Sequence, residues 1–377
     1  MPSPPTGLVL AVAAALLSAA TARVAPAAVR ATDVVPAKPI YHSPQTPGYT
    51  AWCTLWRSHG GELRLAFQQV TGPVDPWDQR KNVTVVLGSG DESASWMKRR
   101  EVAARPGTGT KEERIYAAPG TSSFCGHGLA LLPDGTLVTG VWGGSDRESG
   151  YVQRSTDDGA TWSAPIALGN PKTQKIFPSQ FHLLRDGRVV CMAALYDRAE
   201  KPIGANMWKV LFQSGDGGKS WGPPIPLMPR DVGVCEESDF VELDSGDLLF
   251  VHRTEHYDGE RFVSANRLQN VVKRKSDGGW EVGPFTQPPI PHSGFPELLK
   301  LRDGTILHVG TDGTWATRDA GATWAKLENV PVSPYYPRAI QLKDGRVLVV
   351  GHVGGDDEYG KVDQTIVGMT FRVEVTP

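Results

Sequence analysis

The 377-residue chain has only four cysteines, no excess of either charge, and a single extended apolar run. No two of Cys53, Cys125, Cys191 and Cys235 stand in Cys-x-x-Cys spacing, which argues against a structural zinc site. Buried thiols or one disulfide remain, with the pairing open. Lys and Arg total 39 against 41 Asp and Glu, a formal charge of −2. That balance excludes the basic footprint of a nucleic-acid binder. No segment after the N-terminal run could span a bilayer. No nucleotide motif or metal-ligand spacing is present, so neither cofactor nor metal is expected.

What the chain does have is 42 glycines, 30 prolines and 11 tryptophans among 40% hydrophobic residues. With no helical periodicity, this composition predicts an all-β fold. Gly7 to Ala20 is an apolar run too short for a membrane span and of the length of a signal-peptide core, although Met1 to Thr6 carry no Lys or Arg. Small residues offer cleavage near 22–28. Residues 1–28 are therefore expected to be a signal peptide, the product secreted or periplasmic, and 35–377 one domain.

Two interleaved repeats organise that domain. The first reads Ser/Thr-x-Asp-x-Gly-x-Thr/Ser-Trp and runs from Ser155 to Trp162, Ser214 to Trp221 and Thr317 to Trp324. A degenerate copy spans Ser89 to Trp96 and a shortened one Ser276 to Trp280. Asp and Ser side chains satisfy turn amides, Gly supplies positive φ, and Trp plugs between sheets. These aspartates thus read as structural. The second repeat is strand, Asp-Gly turn, strand. Its turns are Asp134-Gly135, Asp186-Gly187, Asp303-Gly304 and Asp344-Gly345, with weaker copies at Gly60-Gly61 and Ser245-Gly246. The six are separated by 74, 52, 59, 58 and 41 residues. Periods of that size predict six propeller blades over about residues 40–374. Pro39 to Ser43 are expected to add a strand to the last blade and close the ring, and residues 99–120 to form a loop between blades 1 and 2.

In such a ring the start of each inner strand faces the central mouth. Eight residues before each turn stand Trp52, Gly126, Pro178, Glu237, Phe295 and Tyr336. Two further on, on the same strand face, stand Thr54, Gly128, Gln180, Asp239, Glu297 and Arg338. The mouth is thus expected to collect Glu237, Asp239, Glu297, Tyr336 and Arg338, with His127 and Glu236 adjacent.

The two repeats resemble the sialidase (neuraminidase) superfamily of Asp-box propellers over essentially the whole mature chain. The stretch Cys235-Glu236-Glu237-Ser238-Asp239-Phe240-Val241-Glu242-Leu243, running on to Arg253, resembles that family's Glu/Arg blade. The resemblance implies a secreted glycoside hydrolase acting on a terminal, acidic sugar. Tyr336 would be the nucleophile, Glu237 its activating partner and Arg253 an arginine that grips the substrate carboxylate. Two family arginines have no counterpart. Ala51, in Tyr49-Thr50-Ala51-Trp52, stands where the first belongs, and Gly310 to Trp315 contain none where the third belongs. Arg338 is a candidate replacement, and Glu297 and Trp52 candidate substrate contacts. The acid/base aspartate would fall in the loop holding Asp75 and Asp78, and His127, between two glycines, is a further acid/base candidate.

Two alternatives keep the fold. In one, His127 carries a lyase or hydrolase reaction on rhamnose linked to glucuronate, which the missing arginines favour. In the other, the propeller binds glycans without chemistry, stacking sugars on Trp52, Trp77 and Trp142. In every case the partner is a glycan or polysaccharide, with no nucleic acid and no membrane span, and the protein is expected to be a monomer.

Overall fold

The computed structural model describes residues 28–76, 79–103, 128–141, 150–197, 199, 207–228, 237–258, 261–291, 294–354 and 359–376. These form 24 strands in six four-stranded antiparallel sheets, with no α-helix among the described residues. Each sheet is one blade. Strand β1 (Ala28–His42) belongs to the last blade. Blade 1 holds β2 (Tyr49–Arg57), β3 (Leu63–Thr71), β4 (Lys81–Ser89) and β5 (Met97–Ala103). Blade 2 holds β6 (Leu129–Leu131), β7 (Leu137–Val141), β8 (Tyr151–Ser155) and β9 (Ile166–Ala167). Blade 3 holds β10 (Gln174–Leu183), β11 (Val189–Asp197), β12 (Trp208–Ser214) and β13 (Ile225–Pro226). Blade 4 holds β14 (Ser238–Glu242), β15 (Leu248–Asp258), β16 (Arg261–Arg274) and β17 (Trp280–Val282). Blade 5 holds β18 (Glu297–Lys300), β19 (Ile306–Gly310), β20 (Gly313–Thr317) and β21 (Ala325–Lys326). Blade 6 holds β22 (Tyr335–Gln341), β23 (Val347–Val353) and β24 (Thr365–Thr376), with β1 outermost.

The Asp-Gly turns start the blades as expected. In all six the turn glycine has φ between +83° (Gly61) and +91° (Gly345), a conformation that costs other residues about 1–2 kcal/mol. In four of them the turn aspartate accepts the amide two residues on, at 2.9–3.0 Å. The other repeat joins the third and fourth strands of blades 1 to 5. Asp157 accepts the Thr161 amide (2.8 Å) and hydroxyl (2.6 Å), while Ser155 Oγ takes the Gly159 amide. These aspartates serve the turn. The Ser95 hydroxyl, chief among such donors, holds Asp91 down at about 2.

The tryptophans after those turns do the inter-blade packing. Trp162 packs between blades 1 and 2, Trp221 between 2 and 3, Trp280 between 3 and 4, Trp324 between 4 and 5, and Trp96 between 6 and 1. Blade 6 has no such repeat, because its fourth strand comes from the other end of the chain. The interface of blades 5 and 6 is filled instead by Leu301, Leu307, Val309, Val347 and Phe371.

Two expectations change in detail. The ring-closing strand is Ala28–His42 rather than 39–43, pairing antiparallel with β24 from Ala28↔Thr376 to His42↔Thr365. The loop expected from residue 99 begins later, since β5 runs to Ala103. Cys53 and Cys191 are buried and in no disulfide, and burial pushes the Cys191 thiol well up. Cys125 and Cys235 lie outside the described residues. No helix among the described residues is long and apolar enough to cross a membrane.

Candidate active site

The inner strands deliver two tiers of side chains. Thr54, Gly128, Gln180, Asp239, Glu297 and Arg338 all line one cavity of about 230 Å³, with contributions from every blade. This is the axial channel. The tier two residues earlier carries Trp52, Pro178, Glu237, Phe295 and Tyr336.

A local irregularity separates the tiers. The pairing of β2 slips between Ala51 and Thr54, that of β10 between Pro178 and Gln180, and that of β22 between Tyr335 and Arg338. At such bulges one side chain is re-aimed relative to the regular strand. Trp52 and Tyr336 sit in them with φ of +57° and +46°. Positive φ on a bulky aromatic is held only where surrounding contacts enforce it, and such outliers gather at functional sites.

Those contacts are visible around Tyr336. Its ring lies 6.2 Å from Phe295 and stacks at 6.0 Å, 15° between planes, with His352 of β23. Its hydroxyl donates to Glu237 Oε1 at 3.2 Å. Arg253 Nη1 donates to Glu237 Oε2 at 2.6 Å, and Arg253 Nη2 pairs with Glu255 Oε1 at 2.7 Å. Glu237 is buried with both oxygens occupied, whereas Tyr336 is half-exposed. Three residues expected to act together, Tyr336, Glu237 and Arg253, are therefore in one chain of contacts.

Beneath them lies a buried cation. Lys209 of β12 is fully buried and donates to Ser238 Oγ (2.5 Å), Arg253 O (2.7 Å) and Glu237 O (3.3 Å). His252 Nε2 donates to Asn270 Oδ1 at 3.0 Å, and its Nδ1 lies 3.1 Å from Ser238 Oγ. Burial, reinforced by Lys209, pushes its pKa down to about 3, so it is neutral.

Arg338 and Glu297, the expected substrate contacts, stand paired with each other. Both belong to the lower tier and have turned to each other, Nη1 to Oε2 at 2.8 Å. Arg338 Nε donates to Cys53 O at 3.1 Å and its guanidinium lies 4.5 Å from the Phe295 ring centre. Asp239, also expected at the mouth, accepts the amides of Phe240 and Leu298 and sits 3.4 Å from His182 Nε2. The reason is depth. One strand step down from the bulge, side chains of six blades converge on the axis, and unlike charges there pair rather than remain bare.

Trp52 packs with Tyr49, Ala51, Val70 and Tyr359 and stays partly exposed. Asp75 stands on the exposed β3–β4 turn, and no polar contact among the described residues joins it to Tyr336, Glu237 or Arg253. His127, Asp78, Glu236, Trp77 and Trp142 lie outside the described residues. The missing third arginine has a structural counterpart, since β19 and β20 are joined by only Thr311 and Asp312. Glu255 and Lys209 were not anticipated. Glu255 had a signal, lying two residues from Arg253 on the same strand face. Lys209 is a lysine inside an apolar strand, and pattern alone does not say where its ammonium goes.

The fold is a six-bladed β-propeller, the architecture shared by sialidases and arabinanases. No protein-family model matches the chain. It is 23% identical over 316 residues, 76% of its length, to an exo-alpha-sialidase of Aspergillus fumigatus, covering 68% of that protein. In solved structures it is similar to an alpha-L-arabinanase of Penicillium chrysogenum complexed with arabinobiose (TM-score 0.64, 15% identity, 90% of this chain and 98% of that one). It is similar too to the NanB sialidase of Streptococcus pneumoniae (TM-score 0.61, 11% identity, 90% and 71%).

Proposed function

We propose that the chain is a glycoside hydrolase that removes a terminal sugar from a glycan or polysaccharide, with Tyr336 as nucleophile and Glu237 as its base. The observation that carries this reading is the relation between the two side chains. Glu237 is buried with its oxygens taken by Tyr336 and Arg253, so the half-exposed phenol is the group placed toward the mouth. Tyr336 passes its proton to Glu237 as its oxygen bonds to the anomeric carbon and the glycosidic C–O bond breaks. The leaving oxygen takes a proton from an acid, the role assigned to His127 or Asp75. Water then attacks the anomeric carbon, giving a proton to the residue that served as acid, while the tyrosine oxygen leaves and takes its proton back from Glu237. The 23% identity with an exo-alpha-sialidase and the likeness to an arabinobiose-bound arabinanase support a carbohydrate substrate. Export through the Gly7–Ala20 segment belongs to the same reading. The histidine-based alternative rests on His127, which lies outside the described residues, and on the missing arginines.

The test is covalent trapping. Sialosides and neutral polysaccharides are digested and the released sugars identified by mass spectrometry. A fluorinated analogue of the sugar released is then used to label the protein. A mass shift on the peptide carrying Tyr336 is expected. Label on Glu237 instead would overturn the tyrosine assignment.

A further inference from the structure

We propose that Glu255 sets the charge of the accepted sugar, making this a site for a neutral terminal sugar rather than one that bears a carboxylate. The inference rests on the Tyr336–Glu237 reading above and departs from the acidic sugar that the sequence suggests.

An arginine grips a carboxylate by offering two parallel N–H groups. In Arg253 both terminal nitrogens have already met protein carboxylates, Nη1 that of Glu237 at 2.6 Å and Nη2 that of Glu255 at 2.7 Å. All three side chains are largely buried, at 10%, 22% and 14% exposure for Glu237, Arg253 and Glu255. Register holds the arrangement in place, since β15 pairs with β16 at Arg253↔Arg267 and Glu255↔Ala265. Both terminal nitrogens of the guanidinium are thus taken by carboxylates, and the Lys209 ammonium beneath is spent on the Glu237 and Arg253 carbonyls and Ser238 Oγ. A substrate carboxylate at Arg253 would sit against two like charges with little water between them, where repulsion is weakly screened. Among the described residues, the two family arginine positions hold no arginine. Ala51 and the two-residue β19–β20 turn occupy them, and Arg338 is turned to Glu297 in the channel. A neutral sugar meets no such opposition. Its hydroxyls can donate to the Glu255 carboxylate.

The experiment compares the wild-type protein with Glu255→Gln and Tyr336→Phe. Turnover is measured on a panel of neutral para-nitrophenyl glycosides, α-L-arabinofuranoside included, and on 4-methylumbelliferyl α-N-acetylneuraminide. Binding of the anionic analogue 2-deoxy-2,3-dehydro-N-acetylneuraminic acid is measured by calorimetry, and thermal unfolding confirms that each variant folds. The wild type should cleave a neutral glycoside in preference to the sialoside. Glu255→Gln should raise the sialoside-to-neutral ratio of kcat/KM at least tenfold and tighten the anionic analogue at least tenfold. A wild type that prefers the sialoside overturns the proposal. So does a Glu255→Gln variant with unchanged ratio and unchanged anion binding; if Tyr336→Phe is then inactive, the catalytic reading survives alone. Where nothing is turned over, that reading is the one that fails, and anion binding still decides the role of Glu255.

Discussion

Arg338 and Glu297 are locked to each other across the interface of blades 6 and 5, 2.8 Å apart and at most a tenth exposed. Glu297 also accepts the Ala339 amide at 2.7 Å, and Arg338 reaches the Cys53 carbonyl of blade 1. One ion pair thus fastens the strand just below Tyr336 and the residue just after Trp52. Both aromatics are in positive-φ bulges, so the pair holds the strained mouth tier in place from underneath.

That pair predicts a pH signature. Burial pushes Glu297 up to about 7, opposed by Arg338 and seconded by Asp239, against an ordinary 4.5. A carboxyl whose folded pKa lies above its unfolded value holds its proton more tightly when folded. Its contribution is complete below about pH 4.5 and is lost as pH rises through about 7. Unfolding free energy from urea titrations should therefore fall over that window, and Glu297→Gln should flatten the fall. Equal slopes in the two proteins would mean that Glu297 is ionised throughout. Arg338→Met, which strands the carboxyl without a counter-charge, should cost about 3–5 kcal/mol above that window.

Tyr336→Phe keeps the ring between Phe295 and His352 and removes only the hydroxyl. Stability should fall by no more than about 0.5–1.5 kcal/mol, the worth of one hydrogen bond. Turnover of whichever glycoside the protein cleaves should fall on the order of a thousandfold or more, as expected for a missing nucleophile. Retention of a tenth of the rate would place the chemistry elsewhere.

The ring was legible because its signals are local. Asp-Gly turns and Asp-x-Gly-x-Thr-Trp hairpins each encode a tight turn within eight residues, and counting back from them found the six channel-lining positions, Thr54 to Arg338. Counting cannot show depth. Residues 336 and 338 differ by two in register, yet a bulge lies between them, so one lines the mouth and the other the channel. Nor can it show that Arg253 shares its guanidinium with Glu255, or that Lys209 crosses from blade 3 to blade 4. The path of Lys209 depends on how neighbouring blades meet. The pairing of β1 from residue 28 was hidden for a different reason, since Ala28 to Lys38 carry no turn motif and gain their partner only when the ring closes.

The turn aspartates should behave as structure. Asp319 accepts the Thr323 amide at 2.8 Å, the Thr323 hydroxyl at 2.6 Å and the Thr317 hydroxyl at 2.8 Å. Asp319→Ala removes all three hydrogen bonds and should lower stability by about 1–3 kcal/mol. The mouth lies at the other ends of these strands, so kcat and KM should stay within about twofold. A large loss of turnover with unchanged stability would contradict the structural assignment.

Lys209 offers the sharpest separation of positioning from chemistry. Its ammonium holds the backbone carbonyls of both Glu237 and Arg253, yet it touches neither the Tyr336 hydroxyl nor either carboxylate in the contacts described. Lys209→Met fills the same volume but takes the ammonium away from the Arg253 carbonyl and Ser238 Oγ, at about 1–3 kcal/mol, while the Glu237 carbonyl keeps its bonds from the Arg253 amide and the Ser238 hydroxyl. The Glu237 and Arg253 backbones should then drift, and turnover should drop about tenfold or more with KM changed far less, since alignment fails before binding does. A second readout follows from His252. Burial is the chief cause of its depressed pKa and Lys209 the next, so removing the cation should raise it from about 3 while burial keeps it below 6.5. Imidazole proton shifts followed by NMR titration report this directly. A lowered kcat with a raised His252 pKa supports Lys209 as the cation that positions the site. An unchanged kcat beside the same His252 shift would make Lys209 a matter of stability alone.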